Sequence, residues 1–275
     1  MLEPDIVKDQ ELEGLIQEVH QVYGYDFSMY SRASFKRRIN RICLIDKLTS
    51  FAELRYKVLN DADYLKHFVE EITVNVTEMF RDPQFFKALR EKIIPQLGTY
   101  PLIRIWVAGC STGEEAYSLA ILLKEAGLYQ KSLIYATDIN PSVLEKARTG
   151  VFPLNQMKQY SENYILSGGK EDFSGYYTAN YDSVKFDDSL QSKLILSTHN
   201  LVSDGSFNSF QLIVCRNVLI YFDRKLQERV FNLFDESMDN LGYLALGSKE
   251  TLRFASIQNH YQQVEDQRIW KKVEP

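Results

Sequence analysis

Up to about Leu97 the apolar positions recur at helical spacing: Leu12, Leu15, Ile16 and Val19 share one face, and so do Phe51, Leu54, Tyr56, Val58 and Leu59. The spacing predicts a small helical domain. From Pro101 the rhythm changes to short apolar runs, Leu102 to Ala108, Leu133 to Thr137, Leu194 to Leu196, Phe210 to Cys215 and Tyr243 to Leu246, alternating with helix-like stretches. This alternation predicts βαβ units around a mostly parallel sheet, an α/β fold. The last run, from Tyr261 through Val264 to Ile269, Trp270 and Val273, predicts an edge hairpin carrying an antiparallel strand. Pro95, Gly98 and Pro101 mark the join, so we divide the chain into a helical domain over 1–75, a linker over 76–100 and an α/β domain over 101–275.

One stretch breaks the alternation. Val151 to Asp188 is rich in Tyr, Ser, Asp and Gly, and it reads as an insertion over 151–190. Gly168-Gly169 and Tyr176-Tyr177 through Phe186 suggest turns and short strands, hence a small β-subdomain; a long surface loop is the alternative.

Composition narrows the chemistry. The 275 residues are 45% apolar and 25% charged, ordinary for a folded soluble chain, and no apolar run approaches the ~20 residues of a membrane span. Glu3, Asp5, Asp9 and Glu11 near the start do not suit a signal peptide, which makes a cytoplasmic protein the expectation. Cys43, Cys110 and Cys215 are widely spaced and odd in number, and are read as buried thiols. His20, His67, His199 and His260 are scattered without ligand spacing, so no metal is expected. A net charge of -5 argues against wholesale nucleic-acid binding.

The candidate chemistry begins in "RIWVAGCSTGEEAYSLAI", Arg104 to Ile121, where an apolar strand pattern passes into a helical one through Gly109-Cys110-Ser111-Thr112-Gly113. A glycine turn between the first strand and first helix of such a sheet lets backbone approach a ligand and points helix N–H groups at it. Dinucleotide enzymes require G-x-G-x-x-G there and P-loops require Gly-Lys-Ser/Thr, whereas Gly113 is followed by Glu114 and Glu115. Two carboxylates repel a pyrophosphate but suit an ammonium or a nearby cation; they also simply stabilise a helix first turn. S-adenosylmethionine, with an amino group, a sulfonium and no phosphate, fits this turn better than a nucleotide. "LIYATDIN" ends in Asp138, a carboxylate placed to accept both ribose hydroxyls, although a lone Asp there also serves as a cap.

"TVNVTEMFRD", "AGCSTGEEAYSLAI", "ATDIN", "ARTGVF", "HNL" and "VCRNVLIYFD" resemble, in order and spacing, the chemotaxis receptor glutamate methyltransferases of the CheR family, over roughly Phe35 to Gly247. The resemblance implies a class I S-adenosylmethionine-dependent methyltransferase domain, Rossmann-like, with an N-terminal helical domain and an inserted β-subdomain. It further implies that Asn75, Thr77 and Arg81 line the cofactor pocket, with Arg81 nearest the reacting methyl. Gly109 belongs to the cofactor turn, Glu114 contacts the methionine part, Asp138 the ribose, and Asn200 with Leu201 the adenine surroundings. Asn217 and Val218 flank the cofactor, and Tyr221 faces the substrate carboxylate, making Arg81 and Tyr221 the catalytic candidates. Caps, ion pairing of Arg81 with Asp82, and a core role for Tyr221 are the alternatives. Cys110 and Ala116 stand where small residues or proline are expected in relatives.

Methyl transfer from a sulfonium to a carboxylate needs alignment and dehydration rather than a general base. The expected products are a glutamate γ-methyl ester and S-adenosylhomocysteine. Arg32, Lys36, Arg37, Arg38, Arg41 and Lys47 concentrate charge against Asp46 alone, and Arg37, Arg38 and Arg41 are the candidate substrate-docking residues. A solvated face is the default reading; the resemblance points to the acidic cytoplasmic domain of methyl-accepting chemotaxis receptors as partner. The aromatic set Tyr176, Tyr177, Tyr181 and Phe186 suits either a receptor C-terminal peptide on the β-subdomain or that subdomain's own core. A monomer is expected. The competing readings are an enzyme of the same fold acting on a small molecule or non-chemotaxis protein, and a non-catalytic docking adaptor.

Overall fold

The computed structural model describes residues 7–73 and 77–273, the side chain of residue 265 apart. By backbone proximity the chain divides into two units: Met1–Asn75 with Tyr221–Val230, and Val76–Ile220 with Phe231–Pro275.

The first unit is helical: α1 (Asp9–Tyr23), α2 (Arg32–Ile45), α3 (Phe51–Asn60) and α4 (Ala62–Thr73). The stripes of the sequence become its core, since Leu12, Leu15, Ile16 and Val19 of α1 are buried with Phe35 and Ile39 of α2, Leu54 and Val58 of α3 and Phe68 of α4. Tyr56 is the exception at 69% exposed. Helix ends are set locally: the Ser50 side chain accepts from Glu53 N to start α3, and Gly24, at φ 79°, stops α1. The stretch from Tyr221 joins this unit by main-chain bonds, Ser31 N to Tyr221 O at 2.8 Å and Asp223 N to Met29 O at 3.0 Å, and by a Tyr30–Phe222 ring contact at 5.1 Å.

The second unit opens with a helical stretch, α5 (Pro83–Ala88) and α6 (Ile94–Leu97), joined by a π-helical turn. Phe85, Phe86, Leu89, Ile93 and Leu97 bury this stretch in the core beneath the sheet, so the predicted linker is largely an internal helix of this unit. Strands β1 (Ile103–Ala108) and β2 (Ser132–Asp138) follow with α7 (Glu114–Glu125) between them, then α8 (Pro141–Thr149). The insertion contains β3 (Val151–Pro153), α9 (Met157–Leu166), β4 (Tyr177–Asn180) and β5 (Ser183–Phe186). Next come β6 (Leu194–Thr198), β7 (Phe210–Cys215), α10 (Arg224–Glu236), β8 (Met238–Leu246), β9 (Tyr261–Glu265) and β10 (Ile269–Lys272).

Seven strands form one sheet in the order β6-β2-β1-β7-β8-β10-β9, parallel from β6 to β8, while β10 runs antiparallel to both neighbours. The α/β class and the hairpin at the sheet edge therefore follow the hydrophobic pattern. β8 starts five residues before its apolar run because a register shift opposite Phe210–Leu212 accommodates the polar Asp239-Asn240, which concealed the strand. The insertion carries a separate three-stranded sheet, β3-β5-β4. Its Tyr176 and Phe186 are buried and Tyr177 half-buried, Phe186 and Tyr177 with rings 5.4 Å apart, whereas Tyr181 at the hairpin tip is 95% exposed. Three of the four aromatics thus pack into the core that the subdomain shares with α7, where Phe186 meets Tyr117 and the Tyr176 hydroxyl donates to Glu125.

Candidate cofactor site

The order of the strands reverses between β1 and β7, and in open α/β sheets the crevice beyond the carboxyl ends at such a reversal is where ligands bind. Both loops that leave this point carry predicted residues. After β1, Gly109 N and Cys110 N both donate to Thr137 O at 2.8 and 2.9 Å, which bends the chain across the end of β2. Gly109 sits at φ 80°, and a Cβ there would lie 2.4 Å from the Val218 side chain, so the loop after β7 closes directly onto the glycine. Gly113, at φ 98°, is the residue before α7, and a Cβ there would meet Ala147 at 2.9 Å.

Asp138 ends β2 and ties these loops together. Its Oδ2 accepts from Ser111 N at 2.9 Å and its Oδ1 from Asn140 N at 3.0 Å, while Asn140 Oδ1 accepts from Ser142 N to start α8. The bland role as a local anchor is therefore real, and it leaves carboxylate lone pairs for a ligand. Burial pushes the Asp138 carboxyl up, offset by these backbone donors. His199 N donates to Asp138 O at 3.2 Å, which brings the turn after β6 to the same edge. In that turn Leu201 is buried, and Asn200, half-buried, accepts from Val202 N at 2.9 Å through Oδ1.

Glu114, the first residue of α7, is buried at 5% exposure. Its Oε2 accepts from Thr112 Oγ1 at 2.6 Å and its Oε1 lies 3.5 Å from the Tyr160 hydroxyl. Burial pushes this carboxyl up as well. Among the described residues no cationic side chain pairs with Glu114, whereas Glu115 meets Arg216 at 2.8 Å. Of the two carboxylates, only the first remains to meet an ammonium. Ser111 Oγ and Asn140 Nδ2, beside Asp138, are buried without partners. A buried carboxylate without a cationic partner among the described residues, a second one at a strand end and orphaned polar atoms beside it fit S-adenosylmethionine.

Arg81 is half-buried in a turn whose flanks, Phe80 at φ 52° and Asp82 at φ 57°, hold left-handed backbone. Packing enforces it: Phe80 is fully buried against Phe86 and Tyr164, its N–H donates to Ser118 Oγ at 3.0 Å, and Asn163 Nδ2 donates to Met79 O at 3.0 Å. Asp82 accepts from Arg216 Nη2 at 2.5 Å. Thr77 is half-buried, and Asn75 lies outside the described residues.

Tyr221 belongs to the helical unit, where the Arg38 guanidinium lies 4.3 Å from its ring centre. Arg38 departs from its expected place. It is 8% exposed and donates to the carbonyls of Ile72 at 2.8 Å and Glu71 at 3.4 Å, at the end of α4, because its position on α2 faces inward between Phe35 and Ile42. Arg38 is therefore not part of an exposed docking face; Arg37 and Arg41 are exposed and carry no ion-pair partner among the described residues.

Sequence reasoning missed Arg216, Tyr160 and Glu250. An arginine directly after an apolar strand, as Arg216 is after β7, signals a buried counter-charge. Cys43, Cys110 and Cys215 are buried free thiols. Among the described residues no cluster of three or more His, Cys, Asp or Glu is placed to hold a metal, and no helix is long and apolar enough to cross a membrane.

Comparison with known proteins adds two family matches: residues 10–73 match the CheR methyltransferase all-alpha domain, and residues 75–269 the CheR methyltransferase SAM binding domain. A Pseudomonas putida KT2440 protein named Cher3 is 46% identical over 266 residues, 96% of this chain and 97% of that one. Proteins named chemotaxis protein methyltransferase are 33% identical in Borreliella burgdorferi, over 90% of each chain, and 30% identical in Listeria monocytogenes, over 90% of this chain and 92% of that one.

Proposed function

Since the chain belongs to the CheR methyltransferase family and carries its S-adenosylmethionine-binding domain, we propose that it methylates glutamate side chains on the cytoplasmic domain of chemoreceptors, for sensory adaptation. The observation that carries the reading is the strand reversal, where Gly109 admits Val218 and two buried carboxylates, Glu114 and Asp138, have no cationic partner among the described residues. Glu114 meets the cofactor's ammonium, and Asp138 its ribose. Bound S-adenosylmethionine supplies a methyl carbon on a sulfonium, so an acceptor carboxylate gains the carbon as the C–S electron pair returns to sulfur, leaving a methyl ester and S-adenosylhomocysteine.

The protein's own work is binding, orientation and exclusion of water. Arg81, next to the fully buried Phe80, offers the acceptor carboxylate a charge-assisted hydrogen bond. The family resemblance gives Tyr221 the role of a neutral donor to such a carboxylate. Neither needs to move a proton, because an ionised carboxylate is already the nucleophile. Exposed Arg37 and Arg41 suit an acidic receptor surface.

The test is incubation with methyl-labelled S-adenosylmethionine and receptor cytoplasmic fragments, followed by mild alkali. Label released as methanol is the expected result. Alkali-stable label, or none on a cognate receptor panel despite cofactor binding, overturns the glutamate assignment.

A further inference from the structure

Glu250 lies outside every motif that pointed to the cofactor, yet it is buried at 5% exposure beside the residues those motifs identify. The chain leaves β8 at Leu246 and folds back at once: Glu250 N donates to Gly247 O at 2.9 Å, and Gly247 N donates to Glu250 Oε2 at 2.6 Å. The returned carboxylate meets the turn after the neighbouring strand β7. Asn217 N donates to Oε2 at 3.1 Å, and Val218 N and Leu219 N donate to Oε1 at 2.9 and 2.8 Å. Four main-chain N–H groups converge on two oxygens, and among the described residues no cationic side chain joins them. A Cβ on Gly247 would fall 2.7 Å from Oε2 and 2.9 Å from Asn217 N, so the approach is as close as backbone allows.

Asn217 sits at φ 62°, a left-handed conformation open to asparagine as well as to glycine. The next residue, Val218, is the one that presses on Gly109 in the turn after β1. An anion fixed behind the Asn217-Val218 turn thus sets the wall of the crevice at the strand reversal without reaching into it.

We infer that Glu250 is a positioning residue for the cofactor, a buried carboxylate that holds the Asn217-Val218 turn against Gly109 in its binding-competent shape before the cofactor arrives. The inference rests on the reading that Asn217 and Val218 flank the cofactor. Burial raises the Glu250 carboxyl despite the backbone donors that lower it.

Titration calorimetry with S-adenosylhomocysteine, beside thermal unfolding of each variant, tests it. Glu250→Gln keeps the size but offers one acceptor oxygen and turns an NH2 toward two N–H donors. If the competent turn then falls to about a tenth of the molecules, the apparent Kd rises about tenfold in protein that is still folded. Glu250→Asp, which keeps both oxygens on a shorter stem, should lie between. A lower Tm with an unchanged Kd would mean that Glu250 only stabilises the fold, and overturns the inference. Asn217→Ala separates the layers: weaker binding there with none in Glu250→Gln sinks the Glu250 role alone, while no effect in either removes the turn from the cofactor site. Should Glu250→Gln not fold, amide exchange in the unaltered protein decides. Slow exchange at residues 217–219 without cofactor supports a preformed turn, and exchange at open-loop rates overturns it.

Discussion

Arg216 in the larger unit and Arg38 in the helical one are both buried, yet among the described residues only the first meets carboxylates. The Arg216 guanidinium lies 4.0 Å from the Phe85 ring centre and pairs with Asp82 and Glu115. It joins three segments: the turn carrying Arg81, the first turn of α7 and the end of β7. Arg38 has a ring as well, that of Tyr221 at 4.3 Å, but its donors go to the carbonyls of Ile72 and Glu71. Those carbonyls end α4, where the helix presents partial negative charge, and burial lowers the Arg38 pKa. One arginine organises a site by balancing full charges, and the other holds a tyrosine by capping a helix.

The contrast breaks if the two respond alike to loss of charge. Arg216→Met removes the cation that pairs with both carboxylates, one of them 13% exposed, and removing one partner of a buried pair costs about 3–5 kcal/mol. Half exposure of Asp82 places the expected loss near the lower end, about 3 kcal/mol in urea unfolding. Cofactor affinity should fall with it, since both tethered segments carry site residues. Arg38→Met leaves carbonyls rather than charges unmet, so about 1–2 kcal/mol is expected. An equal or larger loss for Arg38→Met would show that the helix terminus, rather than the paired carboxylates, carries the greater electrostatic load.

The two arginines also mark where the sequence was legible. The glycine turn, Asp138 at the end of β2 and the mostly parallel sheet were readable because each depends on neighbours in the chain: a turn residue, a carboxylate at a strand end, an apolar run. Arg38 was misplaced because six basic residues within sixteen positions look alike until α2 is rotated against a core, and Phe35, Ile39 and Ile42 turn that one position inward. Arg216 and Glu250 were missed for a related reason. Their partners Asp82, Glu115 and the 217–219 turn lie far away in sequence, and no local spacing announces a contact made across a sheet.

Glu114 sharpens the comparison from the other sign, as a buried carboxylate with hydroxyls but no cationic side chain. Its raised pKa means that, in the free protein, its contribution to stability is present below the ordinary carboxylate value and lost as pH rises through the folded value. A ligand ammonium favours the ionised form, so the sign for binding is opposite. Affinity for S-adenosylhomocysteine should weaken as pH falls through the raised Glu114 pKa, with proton release on binding there. Around Glu114, Thr112 lowers the carboxyl pKa and Glu115 is already paired with Arg216. Calorimetry in buffers of different ionisation enthalpy reads the proton directly. Glu114→Gln should bind more weakly at pH 8 by about tenfold and lose that pH dependence; a retained slope would assign the proton to another group, with Asp138 next in line.

The smallest effect is expected where the arginines are fully solvated. Arg37 and Arg41 lie one turn apart on α2, exposed, and flank the inward Arg38. Exchanging both for Glu should change stability by no more than about 0.5 kcal/mol, because exposed charges are screened and no ion pair is lost. Any consequence should appear instead in encounter with an acidic partner. Methylation of receptor fragments at low salt should slow by about tenfold or more, with most of the difference gone once the Debye length falls to about 3 Å at 1 M salt. Equal rates at low salt would detach the exposed face from receptor docking, and an effect that persists at high salt would mean that these side chains make close contacts rather than a field. Arg38→Met is the internal control: its charge is already spent on carbonyls and a ring, so its salt dependence should match that of the unaltered protein even where its turnover does not.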